Sequence, residues 1–266
     1  MPFHANWHPV LLSRLSWRLL AILLLCGATN TQAQTTSSET VEEILRKSDS
    51  LMRGDTQTGV YSLIIVRPDW QRTIEFEFWS VGTDRAFIRI TEPVKERGVT
   101  FLKIKREMWQ YVPRINRVIK IPPSMMLQSW MGSGFTNDDL VRESSLIDDY
   151  THKLLGEVET SDGLAYHIEL TPKPEAPIAW ARLLYWVRKA DYVPLRAEFF
   201  NERGSRVRTV AHSDIRNEGG RTIPTRLELV EDRWPDRKTI MILNDLTFDQ
   251  AISPSVFTQS NLRRTR

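Results

Sequence analysis

The spacing of hydrophobic and polar positions changes once along the chain, from a helical period to a strand period. Between Thr40 and Gly54 the apolar residues recur at three- and four-residue intervals, which is typical of an amphipathic helix. Thr40 is followed three residues later by Glu43, the pattern of a capping box, and Gly54 is suited to end the helix. The pattern therefore predicts one helix ahead of the first strand.

After this helix, apolar and polar residues alternate in many short runs. Ile74, Phe76 and Phe78, for example, alternate with Glu75 and Glu77. The runs cover residues 60–66, 74–78, 86–90, 99–105, 108–112, 117–121, 150–159, 165–170, 183–188, 195–201, 206–213, 225–230 and 239–244. Short strands at intervals of roughly 8–12 residues are typical of a single antiparallel sheet, sandwich or barrel.

One segment in the middle of the chain interrupts the alternation. Residues 124–131 lie between Pro122-Pro123 and the glycine-rich stretch 132–134, and their length predicts a short helix. Asn137 then precedes Asp138-Asp139-Leu140-Val141, which predicts a second short helix with acidic residues in its first turn. We therefore expect helical material to be inserted into a mostly β protein.

The N-terminus has the three zones of a secretory signal peptide. Arg14 and Arg18 precede an apolar stretch, residues 19–28, and small side chains follow just ahead of the predicted cleavage site. The apolar stretch is about half the roughly 20 residues that a membrane-spanning helix needs. We therefore expect residues 1–33 to be removed on export to the periplasm, leaving residues 34–266 as a single mature domain.

The mature chain is expected to be free of cysteine and nearly neutral. Cleavage removes Cys26, the only cysteine, and the bulky Leu25 ahead of it argues against a lipoprotein signal. The chain has 36 basic and 33 acidic residues, and two of the basic ones belong to the signal peptide. The remaining charge is close to balanced, which argues against a nucleic-acid-binding protein.

No catalytic or metal-binding motif is present in the sequence. Phosphate-binding loops, dinucleotide fingerprints, zinc-protease motifs and nucleophile elbows are all absent. Asp148, Asp149 and His152 could form a small metal site, but an acidic loop leading into a strand is the simpler interpretation. We therefore predict no enzyme activity, no metal and no cofactor, and a hydrolase ranks last because no nucleophile–base pair supports it.

Large apolar side chains collect in one region of the sequence. Nine of them fall within 35 residues: Phe101, Met108, Trp109, Tyr111, Met125, Met126, Trp130, Met131 and Phe135. Two interpretations stay open: an ordinary core in which a helix covers a sheet, or an adaptable ligand cavity in which segment 125–131 acts as a lid. In the second case the strand residues Phe76, Phe78, Ile88 and Ile90 would also line the cavity.

Two arginines flank the turn that follows Pro113. Arg114 and Arg117 could hold an acidic headgroup or a partner protein, or they could be solvated turn residues.

Two stretches resemble the outer-membrane lipoprotein-sorting proteins, distant relatives of the periplasmic lipoprotein carrier LolA. They are MWQYVPRINRVIKI, from Met108 to Ile121, and WMGSGFTNDDL, from Trp130 to Leu140. The resemblance implies an incomplete antiparallel β-barrel of about eleven strands, with helices covering an open concave face that receives acyl chains. In one departure, this chain has Gly134 where that family is expected to have an acidic residue.

The leading functional hypothesis is a monomeric periplasmic carrier for the acyl chains of lipids or lipoproteins, which serves an inner-membrane transporter or exporter. An acyl chain cannot cross water alone at a useful rate, because each buried methylene is worth about 0.8 kcal/mol. The alternative is an accessory subunit that carries nothing and docks on an inner-membrane transporter through Trp109, Tyr111 and Arg114.

Overall fold

The computed structural model describes residues 39–141, 145–176 and 178–264. The predicted signal peptide, with Cys26, lies outside the described residues. Across the described ranges, no helix combines the length and the apolar character that crossing a bilayer requires.

Thirteen strands, three short α-helices and three single-turn 3-10 helices make up the described chain. The helices are α1 (Val41–Arg53), α2 (Asn137–Val141) and α3 (Gln259–Leu262), and the 3-10 turns lie at Pro113–Ile115, Pro123–Met125 and Pro254–Phe257. The strands are β1 (Thr56–Arg67), β2 (Trp70–Val81), β3 (Arg85–Glu92), β4 (Thr100–Ile104), β5 (Glu107–Val112), β6 (Arg117–Ile121), β7 (Tyr150–Thr160), β8 (Gly163–Pro172), β9 (Arg182–Arg188), β10 (Pro194–Phe200), β11 (Arg206–Glu218), β12 (Arg221–Glu231) and β13 (Trp234–Phe248). Each alternating run in the sequence corresponds to one of these strands.

All thirteen strands belong to one antiparallel sheet that does not close. Their order is β6-β5-β4-β3-β2-β1-β13-β12-β11-β10-β9-β8-β7. The predicted fold class, an incomplete antiparallel barrel, is confirmed, with thirteen strands where the resemblance implied about eleven. The strands β6 and β7 are consecutive in the chain but form opposite edges of the sheet, so the chain between them must cross from edge to edge.

Helix α1 has the predicted boundaries and caps. The Thr40 hydroxyl accepts a hydrogen bond from the Glu43 amide (3.2 Å), the Glu43 carboxylate accepts one from the Thr40 amide (2.8 Å), and Gly54 follows the last turn. The inner face of the helix buries Ile44 and Leu45 in the main core, over β7, β9 and β12. We call the sheet face under α1 the concave face and the opposite one the convex face.

The helix predicted for residues 124–131 is wrong. The only helical turn there is the 3-10 turn Pro123–Met125, after which the chain reverses at Met131 and Gly132, which have φ of 52° and 80°. The Trp130 amide then donates to the Phe135 carbonyl (2.8 Å). The reversal buries both aromatic side chains at once, which a helix of this length would not do. The second predicted helix is confirmed as α2.

We call residues 122–141 the strap. The strap lies on the concave face, where its buried side chains join the same core as the inward residues of the sheet. Hydrogen bonds join its tip to two strands. The Gly134 amide donates to the Thr239 hydroxyl of β13 (2.9 Å), and Arg67 of β1 donates to the Gly132 carbonyl (3.1 Å). Strap and α1 together cover the side that the sheet leaves open.

Candidate functional site

A partly open cavity of about 220 Å³ lies on the concave face. Alternate residues of the floor strands point into it, among them Leu183 and Tyr185 of β9, Val210 of β11, and Met241 and Leu243 of β13. Helix α1, the strap and residues 178–180 provide the other walls. Because strand side chains alternate between the two faces, the cavity is a gap left above an ordinary apolar sheet face.

Eight aromatic side chains line the cavity: Tyr61, Phe76, Phe78, Phe135, Tyr150, Trp180, Tyr185 and Phe199. Three of them form one wall, in which the Tyr61 ring lies 5.3 Å from both Phe76 and Phe78, tilted to the first and edge-on to the second. Such arrangements are favourable for aromatic pairs, so this wall is held in a defined shape.

A buried ion pair ties the strap to the floor of the sheet. Arg208 of β11 donates two hydrogen bonds to Asp139 of α2, of 2.8 and 2.9 Å. The Arg208 side chain is only 3% exposed, and its guanidinium lies over the rings of Phe199 (4.0 Å) and Trp180 (4.4 Å). Arginine suits this place because its planar group can pair with a carboxylate and stack on aromatic rings at once.

The same pair decides the charge of Asp139. Burial alone would raise the pKa of Asp139, but the positive charge of Arg208 and hydrogen bonds from Thr136 outweigh it and hold that pKa below its ordinary value. Burial, reinforced by the negative charges of Asp138 and Asp149, raises the pKa of the nearby Tyr150. The cavity wall at α2 therefore carries an ionised carboxylate beside a neutral phenol.

A second ion pair borders the cavity on the helix side. Arg53 donates to both carboxylate oxygens of Asp49, one turn earlier on α1, at 3.0 and 3.2 Å. Both residues line the cavity, with Gln57 of β1 beside them. The polar groups thus lie at α1 and α2, whereas the floor and the aromatic wall are largely apolar.

Three of the residues predicted to line a cavity do so: Phe76, Phe78 and Phe135. Each carries its ring onto the concave face, the first two from β2 and the third from the strap. Phe76 has a double role, because its ring also packs against Trp130 at 5.2 Å.

Five other predicted residues lie in solid core beside the cavity. Trp130 is 1% exposed and packs against Phe101 with 5.6 Å between ring centroids. Ile88, Ile90, Met108 and Met126 are buried in the same cluster and do not border the cavity. For these residues, the interpretation as an ordinary core under a covering segment describes the structure.

Trp109 and Tyr111 do not belong to the cavity. Both lie on the convex face, in a second cluster with Phe87 and Leu102 that the C-terminal segment covers with Phe257. The reason is the two-residue period of β5, which sends Met108 to one face and its neighbour to the other. Proximity in sequence grouped side chains that the strand separates.

The remaining predicted residues lie at the β6 edge. Met125 is 38% exposed, and Met131 is partly buried against the core. Together with Phe101 and Trp130 they border a second hollow, of about 260 Å³. Arg114 and Arg117 are exposed around the turn between β5 and β6.

Most of the cavity comes from the second half of the chain, which the sequence analysis did not select. The floor residues of β9, β11 and β13 have the same alternation as other strands, and nothing in that pattern distinguishes a lined cavity from a filled core. Arg208 offered a usable signal, because it lies two residues before Val210 and so puts a charged side chain on the same face of β11 as an apolar one. Among the described residues, no three His, Cys, Asp or Glu side chains are arranged to hold a metal ion.

Comparison with known proteins gives one family match. A family model described as "Uncharacterized protein" matches residues 82–264, which is more than half of the chain. The matched part contains both stretches on which the lipoprotein-sorting resemblance rests. No curated protein matches the chain.

Three solved structures have the same architecture. A DUF1329 family protein from Desulfovibrio piger is 23% identical, with a TM-score of 0.76, and the match covers 83% of this chain and 97% of that one. A protein described as an outer membrane lipoprotein-sorting protein domain, from Vibrio parahaemolyticus, is 20% identical, with a TM-score of 0.74 and coverages of 84% and 98%. A LolA superfamily protein from Nitrosomonas europaea is 23% identical, with a TM-score of 0.72 and coverages of 84% and 99%. At these identities the likeness shows a LolA-like fold.

Proposed function

We propose that this chain, which belongs to the family of uncharacterized proteins matched over residues 82–264, is a periplasmic carrier that binds the acyl chains of lipids or lipoproteins. The observation that carries the proposal is the partly open, aromatic-lined cavity on the concave face of a LolA-like half-barrel. Two of the similar structures are described as lipoprotein-sorting or LolA superfamily proteins, which supports cargo of this class.

The size of the cavity indicates how a carrier would have to work. Small-molecule sites usually have volumes of about 300–1,000 Å³, and this cavity of about 220 Å³ lies just below that range. A long acyl chain would therefore enter only if a wall moved outward. The strap is the wall best suited to move, because it is joined to the sheet floor by side-chain contacts and a few hydrogen bonds, whereas the floor strands are joined by continuous ladders.

The energetics fit reversible transfer. Each methylene moved from water into an apolar site gains about 0.8 kcal/mol, so even a half-buried chain is retained strongly enough to cross an aqueous gap. The free energy needed to displace the strap reduces this gain. Binding is weakened as a result, which helps a carrier that must release its cargo. No covalent chemistry is needed, so the proposed role is that of a binding protein and not an enzyme.

The alternative, an accessory subunit that binds nothing, is less well supported. It depends on Trp109, Tyr111 and Arg114 as a protein interface. Tyr111 is buried beneath the C-terminal segment, and Trp109 packs in the same cluster. Of the three, only Arg114 is exposed.

The direct test is to purify the mature protein from its native host and identify co-purified lipids by mass spectrometry, with titration of a fluorescent fatty acid alongside. We expect bound lipid and saturable probe binding. Ala197→Phe, which adds a ring to the cavity floor, should weaken probe binding, whereas Ala190→Phe in the exposed β9–β10 turn should not. Absence of lipid together with no saturable binding by the unaltered protein would rule out the carrier.

The proposed location has its own test. Export with cleavage after residue 33 predicts that the protein recovered from the periplasmic fraction begins at Gln34. N-terminal sequencing of that protein gives the answer, and an intact Met1 on the mature protein would contradict both export by cleavage and the periplasmic role.

A further inference from the structure

One long stretch of this nearly balanced chain has no acidic residue. From residue 108 to residue 137 there is no Asp or Glu, although the chain as a whole has 33 of them. The same stretch contains Arg114, Arg117 and Lys120. Its first part, β5, the β5–β6 turn and β6, forms one edge of the sheet, and the rest continues into the strap.

The same stretch also exposes a disproportionate share of apolar side chains. Among the described residues, nine large hydrophobic side chains are exposed, and four of them fall here: Ile115, Ile119, Met125 and Leu127. Ile115 is 54% exposed in the turn between Arg114 and Arg117. Single exposed apolar residues are ordinary, but four of them within a 30-residue basic stretch indicate an interaction surface.

Except for Leu127, which lines the cavity on the concave face, these apolar and basic groups lie around the β6 edge. Ile119 and Met125 border the second hollow beside Lys120 and Met131. Lys120 is engaged in an ion pair with Glu107, so the exposed positive charge comes mainly from the two turn arginines. The surface therefore combines cations at a projecting turn with apolar side chains behind them.

We propose that this surface, formed by Arg114, Ile115, Arg117, Ile119 and Met125, docks the protein on the anionic face of a lipid bilayer. Arginines attract an anionic lipid surface, and apolar side chains that project beside them enter the boundary between headgroups and acyl chains. A protein partner would more often meet a contiguous aromatic patch, whereas here the apolar groups are aliphatic and spaced between cations. The attraction is weak enough for the protein to leave again, since only two unengaged cations contribute.

Docking at this place would have a structural consequence. The surface continues directly into the strap, which carries Trp130 and Phe135 onto the concave face. A bilayer that contacts the β6 edge therefore lies next to the segment that covers the cavity. The inference goes beyond the proposed function and does not depend on it, because a protein that binds no lipid inside could still dock.

Co-sedimentation of the full mature chain with vesicles tests the proposal. We expect binding to vesicles of phosphatidylcholine with phosphatidylglycerol, little binding to pure phosphatidylcholine, and a steep loss of binding as salt is raised. Arg114→Glu with Arg117→Glu should lower the partition coefficient by roughly 25-fold or more, since each cation removed is worth about fivefold. Ile115→Ser with Ile119→Ser should lower it as well without abolishing the salt dependence.

A matched control separates docking from general charge effects. Arg203→Glu in the β10–β11 turn and Leu154→Ser on β7 change an equally exposed arginine and leucine away from this surface, and binding should be unaffected. Fluorescent fatty-acid titration of every variant distinguishes a docking defect from a cavity defect. Failure to bind either vesicle type, or equal losses in the control variant, would overturn the proposal and would leave a protein partner as the occupant of this surface.

Discussion

The two halves of the concave face are built from the same kind of strand but differ in what lies above them. Over β3 and β4 the strap inserts Trp130 and Met126, and the inward side chains are almost fully buried. Over β9–β13 the strap presents Asp139, and a cavity of about 220 Å³ remains. Most inward residues of the sheet are apolar in both halves, with Arg208 as the charged exception in the open one.

The difference teaches that the cavity is decided by the covering segment and not by the sheet. A large apolar residue on the strap makes core below it, whereas the charged Asp139 borders open space. Asp139 needs Arg208 below it, and this pair occupies a place that two apolar side chains would otherwise fill. Substitutions in the two halves should therefore have different consequences.

The largest effect is expected from breaking the ion pair in the open half. Arg208→Ala leaves the Asp139 carboxylate, whose side chain is 21% exposed, without its partner, and removal of one member of a buried pair typically costs about 3–5 kcal/mol. Arg206→Ala, two residues away on β11, removes exposed ion pairs and should cost less than about 1 kcal/mol. Denaturant unfolding of both variants measures the difference, and similar losses would show that the strap is not anchored by this pair.

Trp130→Ala and Phe78→Ala compare the packed core under the strap with the border of the cavity. Loss of a buried Trp or Phe ring usually costs about 3–5 kcal/mol, and the cost grows with the empty volume that remains. Trp130 is 1% exposed and packs against both Phe76 and Phe101, whereas Phe78 already borders the cavity, so we expect Trp130→Ala to be the more destabilising by at least about 1 kcal/mol. Equal free energies of unfolding for the two variants would contradict the distinction between a packed and an open half.

The features predicted correctly from the sequence are those that short-range patterns specify. The caps of α1 at Thr40 and Gly54 and the strands depend on neighbours a few residues apart, and they were confirmed. The side of the sheet on which Trp109 lies could also have been predicted, because the two-residue period of β5 puts it opposite Met108. The hypothesis of one apolar cluster gave more weight to proximity in sequence than to this period. The correct side of the sheet follows from counting positions from Met108.

The cavity could not be predicted in the same way. Asp139 and Arg208 are 69 residues apart and meet only because the strap runs from the β6 edge across the sheet to β11. Neither the crossing nor the reversal at Gly132 has a short-range signature strong enough to place a side chain over a particular strand. The position of a cavity depends on long-range packing. In the sequence, a residue that lines the cavity has the same pattern as a residue of the filled core, and only the size of its neighbours in space distinguishes the two.

Acid should weaken the open half first. Because the pKa of Asp139 in the folded protein lies below its unfolded value of about 3.9, its contribution to stability is complete well above pH 4 and is lost as pH falls through the folded pKa. We expect the free-energy difference between the unaltered protein and Asp139→Asn to be constant from neutral pH down to about pH 5 and to shrink below pH 4. A free-energy difference that does not change with pH would mean that the contribution of Asp139 to stability does not depend on its charge.

The smallest effect is expected at Gly134, where the resemblance implied an acidic residue. A Cβ added there would lie 2.6 Å from Cδ2 of Leu229 and 3.3 Å from the Thr239 hydroxyl. The methyl end of Leu229 can shift, so Gly134→Ala should cost about 1 kcal/mol, the lower end of the range for overpacking. Gly134→Asp should cost more, because its carboxylate would meet the apolar floor of β12.

Leu229→Val makes room for the added methyl group, so it should lessen the cost of Gly134→Ala when the two are combined, and thermal unfolding of the four variants gives the coupling. If the two substitutions are additive, the glycine is not kept small by Leu229, and the contact between strap and floor at this point must be looser than the structure indicates.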